Sequence, residues 1–168
     1  MLVIGIDPGT ATTGYGLVRD NADALEAVDF GVIETPAGLP LSERLLLLHN
    51  NLQKILFLHQ PDSGAVEVLF FQKNVRTAMT VGQGRGVALL ALAQAGLTVA
   101  EYTPLEVKQA VVGYGAADKN QVQQMVRALL GLDSIPQPDD AADALAIAIC
   151  HLHSARFAEL TGTSTPSS

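Results

Sequence analysis

The sequence predicts an α/β domain of the ribonuclease H-like class, a mixed five-stranded sheet with helices on both faces. Three observations lead there. Three strand-like segments come first, followed by alternating helical and strand patterns and a helical C-terminal third. The chain has 168 residues, enough for one domain that buries about two-thirds of its unfolded surface. Its composition, 48% apolar and 16% charged, is that of a packed core and not of a disordered chain.

The elements follow in order. Leu2 to Asp7 is an apolar run closed by Pro8-Gly9-Thr10, a buried strand and a tight turn. Thr13 to Val18 and Ala24 to Thr35 continue a meander through the polar turn at residues 20–23. From Leu41, apolar residues recur at helical spacing, and Pro61 follows the end of that helix. The leucine stripe from Leu41 to Leu58, together with Tyr102 and Tyr114, is expected in the core. Ala65 to Phe70 reads as a buried strand, Thr77 to Ala95 as an apolar helix and Thr98 to Tyr102 as a strand. Thr103-Pro104-Leu105-Glu106 combines an N-cap, a proline in the first turn and a capping-box glutamate. Asp118 and Gln121 open another helix in the same way, and a last one runs from near Pro138 to about Ala158. Residues 1–158 are expected to fold, and 159–168 to form a disordered Ser/Thr/Pro tail.

Net charge is −7, an unfavourable sum for a nucleic-acid partner, so its distribution matters more. Residues 73–127 hold six cations against three acids, net +3, which leaves −10 for the remainder. One basic face can still grip phosphate. The single cysteine, Cys150, cannot form an internal disulfide and fits a reducing compartment. The N-terminus lacks a signal-peptide pattern, and no apolar run approaches the ~18 residues that span a bilayer. The expected location is cytoplasmic.

Four acids stand out. Asp7 ends a hydrophobic strand, and Glu67 lies within Ala65-Val66-Glu67-Val68-Leu69. An ion buried there without a partner costs several kcal/mol, on the order of 3 or more, so a compensating cation or hydrogen-bond network is expected. Asp140 and Asp143 stand three apart on a helix, about 60° apart in azimuth and about 4.5 Å along the axis. Asp139 and Asp143 also share a face, so spacing alone leaves Asp139 as a rival. Carboxylates converging from two strand ends and a helix make a hard oxygen cage suited to Mg²⁺ or Mn²⁺. Two such ions about 4 Å apart can activate water and stabilise a leaving oxygen at a phosphodiester.

As strings the segments carry more. GIDPGT at 5–10 with TGYG at 13–16, VEVLFFQKN around Glu67, and GQGRG at 82–86 resemble motifs of the bacterial RuvC family. So do YTPLEVKQAVVGYGAADKNQVQQMV at 102–126 and DDAADALAIAI at 139–149, so that the resemblance covers about residues 1–155. It implies a homodimeric, metal-dependent endonuclease that nicks two opposed strands of a Holliday junction in recombination and repair, working with the RuvA and RuvB branch-migration proteins. It also implies the catalytic carboxylates Asp7, Glu67, Asp140 and Asp143, with two Mg²⁺ or Mn²⁺ ions, and leaves Asp139 outside the set. Lys119 and Lys108 match lysines near the scissile phosphate or the DNA backbone, and Phe70 matches an aromatic at the junction centre.

Other residues join these by their chemistry. Phe71, Lys73, Arg76 and Arg85 are further candidate DNA contacts, since aromatics beside cations suit stacking and phosphate contact. Gly82, Gly84 and Gly86 each cost a helix about 1 kcal/mol relative to alanine, which points to close approach by the sheet and by a partner subunit. His151 falls about 16 Å along the helix from Asp140, too far to share its metal. The rival functions are an RNA-processing nuclease of the YqgF kind, which lacks the KQAVVGYG and DKNQVQ stretches, and an actin- or hexokinase-like ATPase, which needs two such domains.

Overall fold

A computed structural model describes residues 1–68 and 75–162, and within the first turn of the second helix it describes the backbone alone for residues 75–77. Five strands form one sheet, β1 (Leu2–Asp7), β2 (Thr12–Asp20), β3 (Leu25–Glu34), β4 (Ser63–Glu67) and β5 (Thr98–Tyr102), in the order β3-β2-β1-β4-β5. The meander β1-β2-β3 is antiparallel, and β4 and β5 run parallel to β1. Among the described residues five helices accompany it: α1 (Leu41–His59), α2 (Val75–Gln94), α3 (Pro104–Val112), α4 (Lys119–Leu129) and α5 (Asp139–Thr161).

The sheet separates two cores. On one face α3, α4 and α5 pack around Val3, Val18, Val126 and Leu145. On the other, α1 and α2 close over Ile4, Ile6, Leu17 and Leu52. β1 is central and covered on both sides, which is why its sequence is an unbroken apolar run and not an alternating one. β3 is one of the two edge strands, with most of its positions only half-buried.

The two capping boxes form as the sequence implies. Thr103 accepts from the Glu106 amide and Asp118 from that of Gln121, and both third-position side chains return the bond. The Thr98–Tyr102 strand agrees residue for residue, and α5 continues to Thr161, three residues beyond the expected end of the folded domain. Two core assignments are corrected. Leu48, Leu52 and Leu56 are the buried residues of α1, whereas Leu58 is 75% exposed, and Tyr114 lies exposed beyond the end of α3.

Apart from Asp143, α5 is buried from Ala141 to Leu152, the pattern of a helix pressed into a core. Its alanines meet glycines on the sheet. A Cβ on Gly5 would stand 2.2 Å from the Ala144 carbonyl oxygen, and one on Gly14 would stand 2.0 Å from that of Asp140. Backbone therefore lies on backbone, and the first turns of α5 are brought against the ends of β1 and β2.

Candidate active site

Parallel pairing of β1 with β4 puts Asp7 and Glu67, each the last residue of its strand, at the same edge of the sheet. The start of α5 brings Asp143 to the same edge, and α3, which follows directly on β5, brings Lys108. Together with Lys119, the first residue of α4, these side chains line a cleft of about 260 Å³ whose apolar walls are Pro104, Val107, Val122 and Ala146.

Electrostatics mark the cleft as short of positive charge. Burial, reinforced by Glu67, Asp143 and Asp140, raises the Asp7 carboxyl to about 7. Glu67 is raised by burial and by Asp143, with Lys108 opposing. Asp143 is raised too, because burial outweighs the ammonium of Lys119 beside it. Lys119 Nζ lies 3.2 Å from Asp143 Oδ2 and 3.1 Å from Asp139 Oδ2. Burial would lower the Lys119 ammonium, but hydrogen bonding to Asp139 and the charge of Asp143 prevail and hold it above its ordinary value. Asp139 is the opposite case: bonds from Lys119 and from Gln123 Nε2, the latter at 3.0 Å, pull its carboxyl down.

The expected quartet is thus brought to one region but not to equal positions. Asp7, Glu67 and Asp143 line the cleft, while Asp140 lines the concavity next to it and acts on Asp7 through its charge. Among the described residues no three acidic, histidine or cysteine side chains stand clustered as a preformed metal cage. Asp139, the rival that spacing leaves open, pairs with Lys119 and does not line the cleft.

Arg85 behaves differently from the DNA contact expected of it. It pairs with Glu101, and its Nε donates to the Glu67 carbonyl oxygen at 3.3 Å. Nothing local in the sequence connects Arg85 with Glu101, 16 residues away on another element. Phe70, Phe71 and Lys73 lie outside the described residues, as does the side chain of Arg76. His151 is buried. Its Nε2 pairs with Ser63 Oγ at 3.0 Å and its Nδ1 with the Tyr102 hydroxyl at 2.8 Å, and burial lowers its pKa.

A mixed sheet of this topology with helices on both faces and acidic side chains at its carboxyl edge is of the ribonuclease H-like class. The family model of crossover junction endodeoxyribonuclease RuvC matches residues 3–151, and the chain belongs to that family. The crossover junction endodeoxyribonuclease RuvC of Chloroflexus aurantiacus is 62% identical over 164 residues, 98% of this chain and 100% of the relative. That of Syntrophomonas wolfei is 57% identical, covering 98% of this chain and 95% of its own. Among solved structures, T. thermophilus RuvC in complex with Holliday junction substrate superposes with a TM-score of 0.89 at 39% identity, covering 94% of this chain and 96% of that one. These relatives favour neither the RNA-processing nor the kinase-like reading.

Proposed function

We propose that this chain resolves four-way DNA junctions by hydrolysing one phosphodiester bond in each of two opposed strands. Asp7, Glu67, Asp140 and Asp143 then hold two Mg²⁺ or Mn²⁺ ions. The donor set fits such cations: it is all oxygen, and its members hold one another's charge unfavourably enough that a divalent ion relieves them. When bound, the ions supply Lewis acidity at the phosphate and an ionised water. Lys119, steadied by Asp139 and Asp143, presents an ammonium to the charge that grows on the cleaved phosphate. Lys108 offers a second cation on the Glu67 side, and the apolar walls limit competing water. Arg85 steadies the Glu67 strand end. Phe70, Phe71, Lys73 and Arg76 remain proposed junction contacts, and RuvA and RuvB proposed partners in the cytoplasm.

Two symmetric cuts need two sites, and a C₂ homodimer supplies them. We assign its contact to the face of α2 that leaves Gly86 open, where a Cβ would meet no atom within 4 Å, and Met79 and Leu90 exposed. Gly86→Leu is expected to yield a monomer in sedimentation and to abolish paired nicking. A wild type that sediments as a monomer at high concentration contradicts the assignment.

The observation that carries the reading is that Asp7 and Glu67, at the ends of two paired strands, and Asp143 of α5 line one cleft with Lys108 and Lys119. Its test is incubation with a labelled synthetic four-way junction, with and without divalent metal. The wild type should cut only with metal. Asp7→Asn should still fold and bind the junction, yet cut it at least ~10³-fold more slowly, since loss of one essential catalytic group costs on that order. Undiminished cleavage by Asp7→Asn would overturn the site assignment.

A further inference from the structure

A second concavity of about 580 Å³ borders Asp140, lined by Gly9, Thr10, Thr12 and Arg44 among others, and it shares neither Asp7 nor Glu67 with the cleft. Arg44 projects from the first turn of α1 and is only partly exposed. Its Nε donates to Thr35 Oγ1 at 3.0 Å. The Thr35 hydroxyl in turn donates to the Thr10 carbonyl oxygen, and the Thr10 hydroxyl to that of Thr80. This chain of bonds fastens the guanidinium to the turn that follows Asp7.

Among the described residues Arg44 has no ion-pair partner, although the chain carries 17 acids against 10 lysines and arginines. Two other cations are paired within the chain: Arg85 with Glu101, and Lys119 with Asp139 and Asp143. A guanidinium that spends one donor on a threonine keeps the rest of its planar fork for an oxyanion. It does so in an open concavity whose rim is a catalytic carboxylate. Any oxyanion here faces Asp140 as well as Arg44, and DNA drawn to the cleft carries its phosphates past this rim.

We propose that Arg44 and the concavity it lines bind a backbone phosphodiester of the DNA strand being cut, next to the scissile one. The inference rests on the junction-cleaving reading and adds a contact to it that no motif marks. Arg44 thereby sets the register of the strand, and Thr35 acts as a positioning residue for Arg44.

The test measures junction affinity of the full chain in chelating buffer, where no strand is cut, between about 50 and 200 mM salt, a range over which the loss of a phosphate contact shows. Arg44→Gln keeps a donor for Thr35 but removes the charge. It should weaken binding about tenfold and reduce the slope of log affinity against log salt by about 0.9, the value of one phosphate contact. Arg44→Lys should restore the slope and part of the affinity. Thermal unfolding of each variant checks the fold; if Arg44→Gln does not fold, the slope of Arg44→Ala takes its place, with the same expected loss. An unchanged slope and affinity in a folded, uncharged variant overturns the proposal while leaving the junction-cleaving reading intact. Failure of the wild type to bind junctions at any salt overturns both.

Discussion

Lys119 is held by two carboxylates that belong to different places, Asp143 in the cleft and Asp139 outside it. The ammonium is half-exposed and screened by solvent, so the pairs stabilise the fold little. Their effect is on direction: the side chain cannot swing away from the cleft without breaking both. Lys119→Met is therefore expected to reduce single-turnover cleavage by about 10²-fold or more while shifting the unfolding midpoint little. Asp139→Asn keeps size and the Gln123 contact but loosens Lys119, and should cost at most about tenfold. An Asp139→Asn defect as deep as that of Asp140→Asn would move Asp139 into the metal set. Asp7 and Glu67 are legible from sequence because a carboxylate in an apolar strand has no comfortable neutral reading. The different surroundings of Asp139 and Asp140 are not, because adjacent acids in one helical turn differ only in what other elements bring to them.

The placement of Asp140 and Asp143 is decided by the contact of α5 with β1 and β2, and that contact has no room in it. A methyl group on Gly14 must displace the carbonyl of Asp140 itself. Gly14→Ala should destabilise by about 1–3 kcal/mol, the usual range for overpacking, and should lower cleavage beyond what the stability loss explains. Gly38→Ala, at an exposed loop position with nothing within 4 Å, is the control and should change neither. Chemical denaturation and single-turnover cleavage measure the two effects; a Gly14→Ala protein with normal cleavage would show that the helix turn is not held by this contact. Elements of this kind are partly legible in the sequence. The capping boxes at Thr103 and Asp118 are, since all their bonds fall within four residues. The extent of burial on α1 is not: periodicity gives the direction of an apolar stripe, but the neighbours that end it at Leu56 come from the sheet and α2. The roles of Arg85 and Arg44 escape a sequence reading for the same reason, as their partners lie on distant elements.

For the whole molecule the acids at one edge of the sheet couple stability to pH and to metal. Asp7 has an ordinary carboxyl value of 3.8 and stands at about 7 in the folded chain, with Glu67 and Asp143 displaced in the same direction. Over that interval the folded state binds more protons than the unfolded one. The stability contributed by protonated Asp7 is therefore complete below about pH 4 and lost as pH climbs through about 7. His151 has the opposite sign: its pKa is lowered by burial, so its contribution is present at high pH and fades on acidification. Comparison with Asp7→Asn separates the two, because the variant keeps His151 and removes the carboxyl. A divalent ion held as proposed would bind the ionised carboxylates, and a ligand that binds only the folded state at 100 times its dissociation constant adds about 2.7 kcal/mol. Magnesium should therefore raise the unfolding temperature strongly at pH 8 and weakly at pH 5, where protons compete for the same oxygens. In chelator, the wild type should lose stability relative to Asp7→Asn between pH 5 and pH 8. Thermal unfolding at those two pH values, with magnesium or chelator and for both proteins, measures all of these effects. An equal magnesium effect at both pH values, or one that persists undiminished in Asp7→Asn, would place the cation away from Asp7.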